Sequence, residues 1–484
     1  ALPPLRGGVR ALPVWTPASA GVTAVRRAVF PSRSRRATDG AMSTDTIYAL
    51  SSGGPPAGVA VIRLSGPGVR AALAALGGAL PPPRRAVVRA LRDADGVLLD
   101  RGLVLFFAGP ASFTGEDVGE LHVHGGRAVV AAILAVLERR PGFRAAEAGE
   151  FTRRAFVNGR LDLTGVEGLA DLVAAETEAQ RRQALRQAEG GLARRLADWR
   201  ERLVRARALV EAELDFADEE DVPGAASDLA WGDVAAVAAE IGGLLADGHR
   251  GERLREGAEI VVLGPPNAGK SSLVNALARR DVAIVTPEPG TTRDLIEVRL
   301  DLGGYPATVV DTAGLREAAG IVEAEGIRRA RDRAAAADLV LWLGDVRAPL
   351  SSPAGTGDVP VLRVGTKADL VDSEEERSRI SATFDLVLST RTGEGMDALL
   401  GRLAGWLESR LGGAEPALVT RSRQRAGLER CREALAAALA AEHAGLEVRA
   451  EELRRATDAL GRITGAVGVE DLLDVIFREF CIGK

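Results

Sequence analysis

From residue 44 onward the chain opens with short runs that are β-branched or alternate apolar with polar, "TDTIYALSS", "GVAVIRLSG", "RGLVLFF" and "GELHVHGG", bounded by Gly and Pro. That period of two predicts strands. Two stretches, around 68–77 and 126–139, change to three- and four-residue spacing and predict helices, so residues 42–160 read as a compact α+β domain. In 161–255, "VEGLADLVAAETEAQRRQALRQAEGGLARRLADWRERLVRARALVEAEL" keeps helical spacing for many turns until the acidic "DFADEEDVPG" and its proline. The same character resumes over 416–484. Between the helical blocks, over 256–415, "EIVVLG", "PATVVDTAG", "DLVLWLGD", "VPVLRVGTKAD" and "FDLVLST" are apolar runs, most of them followed by helical patterns. This is the rhythm of a mostly parallel sheet with helices on both faces. The predicted architecture is therefore multidomain α/β plus α: an N-terminal α+β domain, and an α/β domain inserted into a helical domain that closes from both sides.

At 484 residues the chain exceeds a single core, and its 46% apolar and 27% charged residues are ordinary for a soluble globular protein. No apolar run approaches the roughly 18–20 residues that span a bilayer, so no membrane partner is expected. Two cysteines, Cys431 and Cys481, without regular spacing, argue against a disulfide framework and for a reducing compartment. Residues 1–41 stand apart, with seven arginines, one acid (Asp39) and several Ser and Pro. They read either as an extension ahead of Met42 or as a transit segment; the first implies the cytoplasm, the second a mitochondrion or plastid. Removing their net +6 from the chain's −5 leaves −11 on residues 42–484. So acidic a body does not bind polyanions indiscriminately. The runs "QRRQALRQ" and "TRSRQRAGLERCR" are the local basic faces, read singly as solvated helix surfaces.

The inserted segment carries chemistry. "GPPNAGKSS" follows an apolar strand and opens a helix, with Gly264, Gly269, Lys270 and Ser271 at phosphate-loop spacing. The amides around Asn267, Ala268, Gly269 and Ser272 would cradle phosphates, Lys270 would reach the terminal ones, and Ser271 would hold Mg²⁺. "GTTRD" offers Thr291 or Thr292 to Mg²⁺ and the γ-phosphate; "DTAG" offers Asp311 through water and the Gly314 amide. "TKAD" brings Lys367 and Asp369, whose carboxylate accepts two donors that guanine has and adenine lacks, and Ser389 completes the base pocket. An ATPase would need the reverse preference. Leu315, where Ras-like enzymes carry the water-orienting glutamine, means that hydrolysis recruits help from elsewhere.

"DTIYAL", "FTGEDV", "HGG", "GEFTRRAFVNGRLDL", "DFADEED", "PNAGKSSLVNAL", "GTTRD", "DTAGLRE" and the terminal "FCIGK" occur in an order that resembles the MnmE (TrmE) family of tRNA-modification GTPases, from Met42 to Lys484. The resemblance implies a tetrahydrofolate-binding, dimerising N-terminal domain with Arg63, Glu120 and Arg160 toward the one-carbon cofactor. It implies a Ras-like G domain that binds K⁺ through Asn267, with Mg²⁺ at Ser271 and Thr292, and Glu323 positioning water when two G domains of a homodimer meet. It further implies that GTP hydrolysis drives a cycle in which, with a flavin-containing (FAD) MnmG/GidA-like partner, an aminomethyl-type group is added at carbon 5 of wobble uridine in certain tRNAs. A regulatory GTPase of ribosome assembly is the competing class. Cys481 lacks the context of a lipidation box and the companions of a zinc ligand. A buried apolar thiol is one reading of it, and the resemblance implies a thiol active in the tRNA chemistry. Against the family pattern, Thr366 stands for Asn, a lost amide contact worth about 1–2 kcal/mol. Thr390 stands for Ala, Pro265 for Arg, and Arg160 for a residue that can be Lys; the loop "GGPPAGV" is less Gly-rich. His122 and His124 alternate on a strand with no third metal ligand nearby, and Trp199 reads as core.

Overall fold

The computed structural model describes residues 44–215, 225–247, 249–284, 297–311, 332–350, 356–371, 373–413, 417–441, 445–468, and, further on, Leu473, Ile476, Phe477, Phe480 and Gly483. Elements are numbered over these residues.

The first layer pair is a six-stranded sheet of β1 (Thr46–Leu50), β2 (Ala57–Ser65), β3 (Val87–Arg92), β4 (Leu98–Phe107), β5 (Val118–Gly125) and β6 (Phe143–Ala145). Its order is β3-β4-β5-β2-β1-β6, antiparallel throughout except for the β1–β6 pair. Helices α1 (Val69–Gly77) and α2 (Arg127–Glu138) lie where the spacing predicts them and bury Leu73, Leu76, Ile133 and Leu137 against Ile62, Leu64 and Leu121. The alternate positions face the other way: Arg63 pairs in register with Glu120, and Val61 with His122. A third helix, α3 (Glu150–Val157), is not foreseen by the periodicity. It buries charge rather than an apolar stripe. Arg154 reaches Asp45 at 2.8 Å, Glu150 at 3.1 Å and Glu116 at 3.1 Å; burial pulls its pKa down, and the Glu116 and Glu150 carboxylates outweigh that and leave it raised.

The long helical run breaks into three. Helices α4 (Leu163–Ala174), α5 (Glu178–Ala188) and α6 (Gly191–Asp215) are separated by a capping box at Thr177 and Gln180 and by left-handed Gly190 (φ +79°). Capping signals override a continuous apolar period here. Helices α7 (Ala225–Leu245) and α8 (Arg250–Glu256) follow, and most of the acidic cluster at 215–221 lies outside the described residues.

Helices α12 (Ser422–Ala440) and α13 (Leu446–Thr464) return to the same core: Leu196, Leu203, Val234 and Ile241 pack with Leu428, Cys431, Leu435 and Leu460. The helical domain is thus split around an insertion. Trp199 is in this core, its indole N–H donating to Glu240 at 2.7 Å. Burial pushes the Cys431 thiol up to about 12, and it acts as an apolar side chain.

The insertion is β7 (Ala258–Leu263), α9 (Lys270–Ala278), β8 (Glu297–Leu302), β9 (Tyr305–Asp311), β10 (Leu339–Asp345), β11 (Val361–Thr366), α10 (Glu374–Thr383), β12 (Leu386–Val387) and α11 (Met396–Leu411). Strand order is β12-β11-β10-β7-β9-β8, parallel except for the β8–β9 hairpin. Leu273, Leu277, Leu399 and Leu403 cover one face of this sheet; Ala334 and Ala337 pack with Val261 and Val340 on the other.

The incoming and outgoing connections run side by side. A Cβ on Gly251 of α8 would lie 2.0 Å from the Val419 carbonyl oxygen, so only glycine admits this approach. Arg255 Nε donates to Thr420 O at 3.2 Å, while Gln180 and Gln183 of α5 donate to Arg255 O (2.9 Å) and Gly251 O (3.2 Å).

The two basic runs part company. On α5, Arg181 and Arg182 are exposed and pair with Glu178, as a solvated face does. The run around 420–432 instead turns inward. Glu167 of α4, 1% exposed, accepts from Arg423 (2.9 and 3.1 Å) and Gln424 (2.7 Å), and Asp171 accepts from Arg421 at 2.7 Å. Burial raises the Asp171 carboxyl above its usual range despite those arginines. Among the described residues no helix is long and apolar enough to cross a membrane.

Candidate functional site

Strand β7 sits between β9 and β10 and is followed by Gly264, where the chain turns with φ +147°. A side chain there would meet the Leu343 carbonyl oxygen at 2.3 Å, which explains the glycine. Asn267 (φ +61°) and Gly269 (φ +88°) complete the loop in left-handed conformations, and α9 begins at Lys270. The first-turn amides of α9 therefore point out of the sheet's C-terminal edge, the anion-binding end of a helix. Lys270, 7% exposed, folds across the loop: its Nζ donates to Gly264 O at 3.1 Å and Pro265 O at 2.9 Å. The ammonium is thereby held at the loop mouth.

Asp311, 1% exposed, ends β9 and pairs in register with Val262, one residue before β7 ends. Its carboxylate and the hydroxyl of Ser271, in the first turn of α9, are both oxygen ligands, the type that Mg²⁺ takes. Asn267 is exposed at the loop tip and offers a neutral carbonyl oxygen, the ligand type a monovalent cation takes. Ala268 is buried and Ser272 exposed on the same turn. Glu323, Thr291, Thr292, Gly314 and Cys481 lie outside the described residues, as does Leu315.

The base side is built from the ends of β11 and β12. Lys367 adopts φ +64° and its Nζ reaches Asp345 at 2.9 Å. Asp345 also accepts both ends of the Arg347 guanidinium, at 3.0 and 2.8 Å, and these bonds hold its carboxyl well below the usual range. Asp369 lies in the turn Ala368–Leu370. Its Oδ1 accepts from Ser389 Oγ at 2.5 Å and its Oδ2 from Arg391 Nε at 2.8 Å; the Ser389 bond is the larger cause of its lowered pKa. Ser389 in turn accepts from the Arg391 and Thr392 amides at 3.2 and 3.3 Å. Sequence reasoning passed over Arg391; its position two residues after Ser389 was the available signal.

Thr366 also makes a contact that comparison with the family pattern does not foresee. Its buried hydroxyl lies 2.7 Å from Ala268 O and 3.2 Å from Gly344 O, tying the base motif to the phosphate loop. Thr366→Val leaves the buried Ala268 carbonyl unpaired, which costs about 1–2 kcal/mol. Calorimetric titration should show GTP bound roughly tenfold more weakly, the lower-middle part of that range, with Thr366→Ser near the parent. Unchanged affinity in the valine variant would dismiss the tether.

A second polar cluster lies on the N-terminal sheet's other face, part of which α3 covers with Phe151. Arg63 Nε and Nη2 donate to Glu120 Oε1 at 3.1 and 3.0 Å, and His122 Nε2 contacts Glu120 Oε2 at 3.1 Å. His124 instead pairs with Asp100 at 2.8 Å, so the two histidines serve different carboxylates. The Arg63 guanidinium lies 6.0 Å from the Phe113 ring centre. Arg160 is exposed just beyond α3, its stem close to Gly115 in the loop that carries Phe113. The C-terminal segment comes to this cluster: the Gly483 carbonyl accepts from Ser51 Oγ at 2.8 Å and from Arg63 Nη1 at 3.5 Å. Gly483 itself has φ +99°, and a Cβ would lie 2.4 Å from Leu50 O. Residues this far apart in sequence carry no local signal of the contact.

Residues 46–160 match the family described as GTP-binding protein TrmE N-terminus, and residues 163–481 match the MnmE helical domain. A protein of Mesorhizobium japonicum named tRNA modification GTPase MnmE is 55% identical over 443 residues, 92% of this chain and 100% of that protein. One of the same name from Rhizobium meliloti is 56% identical over 447 residues, again 92% and 100%. Among solved structures, the G domain of the T. maritima FeoB iron transporter is 24% identical over 31% of this chain and 98% of that chain, but a TM-score of 0.22 carries no argument.

Proposed function

The chain belongs to the MnmE (TrmE) family of tRNA modification GTPases, and on that footing we propose that it spends GTP to add an aminomethyl-type group at carbon 5 of wobble uridine in certain tRNAs. The observation that carries the reading is the meeting, in one chain, of a phosphate loop closed by Lys270 with an Arg63–Glu120 cluster that Gly483, next to the last residue, reaches. Hydrolysis does no carbon chemistry. It changes the disposition of the G domains, and that motion reorganises the modification site.

In this reading Lys270 and the loop amides of Asn267, Ala268, Gly269, Ser271 and Ser272 bind the phosphates of GTP. Ser271, Thr292 and Asp311 hold Mg²⁺, and Thr291 and Gly314 sense the terminal phosphate. Asn267 holds K⁺, which supplies the transition-state charge that an arginine supplies elsewhere. Glu323 orients water, and Lys367, Asp369 and Ser389 read guanine. Arg63, Glu120 and Arg160 bind a tetrahydrofolate one-carbon derivative, and Cys481 is the thiol that takes part in the tRNA chemistry.

The same sheet face displays Val59, Val88 and Leu103, 57%, 69% and 38% exposed, in register with the polar cluster. Apolar side chains in such a cluster favour a homodimer formed there. The other partners are tRNA and an FAD-containing MnmG/GidA-like protein, and the compartment is the cytoplasm.

Nucleoside analysis of wobble uridines in cells carrying Cys481→Ser tests the assignment: the modified nucleoside is lost while GTP turnover in K⁺ persists. Normal nucleosides would remove Cys481 from the chemistry. Tetrahydrofolate binding lost in Arg63→Ala distinguishes this enzyme from a purely regulatory GTPase, and equal hydrolysis in K⁺ and Na⁺ would remove Asn267 from the ion role.

A further inference from the structure

The guanine-reading carboxylate has an internal occupant. Arg391, 75% exposed at its side chain, lays Nε 2.8 Å from Asp369 Oδ2, on the oxygen that Ser389 leaves open. Guanine offers a carboxylate its ring N–H and exocyclic amine, two donors on one N–C–N fragment. A guanidinium carries the same fragment with a positive charge. We propose that Arg391 competes with the guanine edge for Asp369 and so lowers nucleotide affinity and hastens release, making it an affinity-determining residue of the GTP cycle. The inference rests on Asp369 as guanine acceptor.

Local geometry keeps the competitor at hand. The Arg391 amide donates to Ser389 Oγ at 3.2 Å, the hydroxyl that also grips Asp369 Oδ1. The main chain is therefore fixed while the long side chain swings from an exposed position. Arg347, whose charge also faces Asp369, is committed to Asp345 by two bonds and cannot replace it. Admitting guanine exchanges a charged donor for neutral ones, so the competition is electrostatic and screened by salt.

Equilibrium dialysis of GDP against the full chain tests this. At low salt, Arg391→Ala and Arg391→Gln should each bind GDP roughly two- to fivefold more tightly, the range of one exposed ion pair. The gain should fade toward 1 M salt, where the screening length is about 3 Å. Equal or weaker binding in both variants, as expected if the Arg391 stem instead stacks on the base, would overturn the proposal; so would a gain indifferent to salt. Asp369→Asn separates the two levels. An amide there should favour xanthine over guanine, and Arg391→Ala added to it should leave xanthosine diphosphate affinity unchanged. If Asp369→Asn keeps its guanine preference, the acceptor assignment itself fails; if it switches while the Arg391 variants are silent, only the competition fails.

Discussion

Lys270→Ala is expected to hydrolyse GTP about a hundred- to ten-thousandfold more slowly in kcat/KM, with the fold retained. The magnitude follows from two charge-assisted bonds to phosphate oxygens at about 1.5–3 kcal/mol each, and about 1.4 kcal/mol per tenfold in rate. Nothing else in the loop stands in for the ammonium: Asn267 and Ser272 are neutral and exposed, and the rest of the first turn of α9 offers amides and serine hydroxyls but no charge. In the structure the ammonium already binds Gly264 O and Pro265 O, so bringing it onto phosphate exchanges bonds rather than recruiting a disordered side chain. Truncation also frees those two part-buried carbonyls, which is why folding is checked separately. Steady-state hydrolysis in K⁺, with circular dichroism as the control for folding, checks the result. A rate within tenfold of the parent would show that the loop amides alone carry the phosphate.

Glu167→Ala is expected to be the most destabilising single change outside the nucleotide site, at about 3–5 kcal/mol, the usual cost of removing one member of a buried charge cluster. The carboxylate satisfies Arg423 through both oxygens and Gln424 through one, joining α4 to α12 across 256 residues of sequence. Alanine leaves the half-buried Arg423 guanidinium with the Arg462 and Ile463 carbonyls, each at 3.1 Å, and strands the buried Gln424 amide. Glu167→Gln keeps shape and one acceptor and should lose less. Chemical denaturation separates them; a Glu167→Ala midpoint equal to that of the parent would mean that water reaches the cluster and the burial is inconsequential.

These two predictions differ in how far each was readable before the fold. The phosphate loop is contiguous, so the spacing of Gly264, Gly269, Lys270 and Ser271 raises the expectation of phosphate binding without any fold, and the geometry adds where the ammonium rests. Glu167 was unreadable: it lies in an apolar helical pattern, and its partners, in a run taken for a solvated surface, follow an entire inserted domain. Helix α3 was missed for a related reason, because its buried positions include Glu150 and Arg154, which invert the pattern an amphipathic helix displays. Strand β8 alternates cleanly, with Val298, Leu300 and Leu302 buried and Glu297 and Arg299 exposed. As the antiparallel edge strand, paired with β9 alone among the strands, it lacks the continuous apolar run that marks the central parallel strands. Thr366 shows the limit of comparing motifs by letter. The substitution suggested a lost contact to the base, whereas its hydroxyl serves a carbonyl nearly a hundred residues earlier.

The side-by-side passage of α8 and residues 417–420 has an evolutionary side. Where Gly251 touches Val419 and Arg255 grips Thr420, the chain leaves the helical bundle and returns to it through a single doorway. A whole nucleotide-binding module could have been spliced in at that doorway without parting the bundle's helices, since a guest whose two ends are neighbours asks its host for no more than a loop. The same geometry makes the guest removable. Joining the two sides of the doorway with a few flexible residues would return the host to an uninterrupted bundle, which is how such a chimera could have begun.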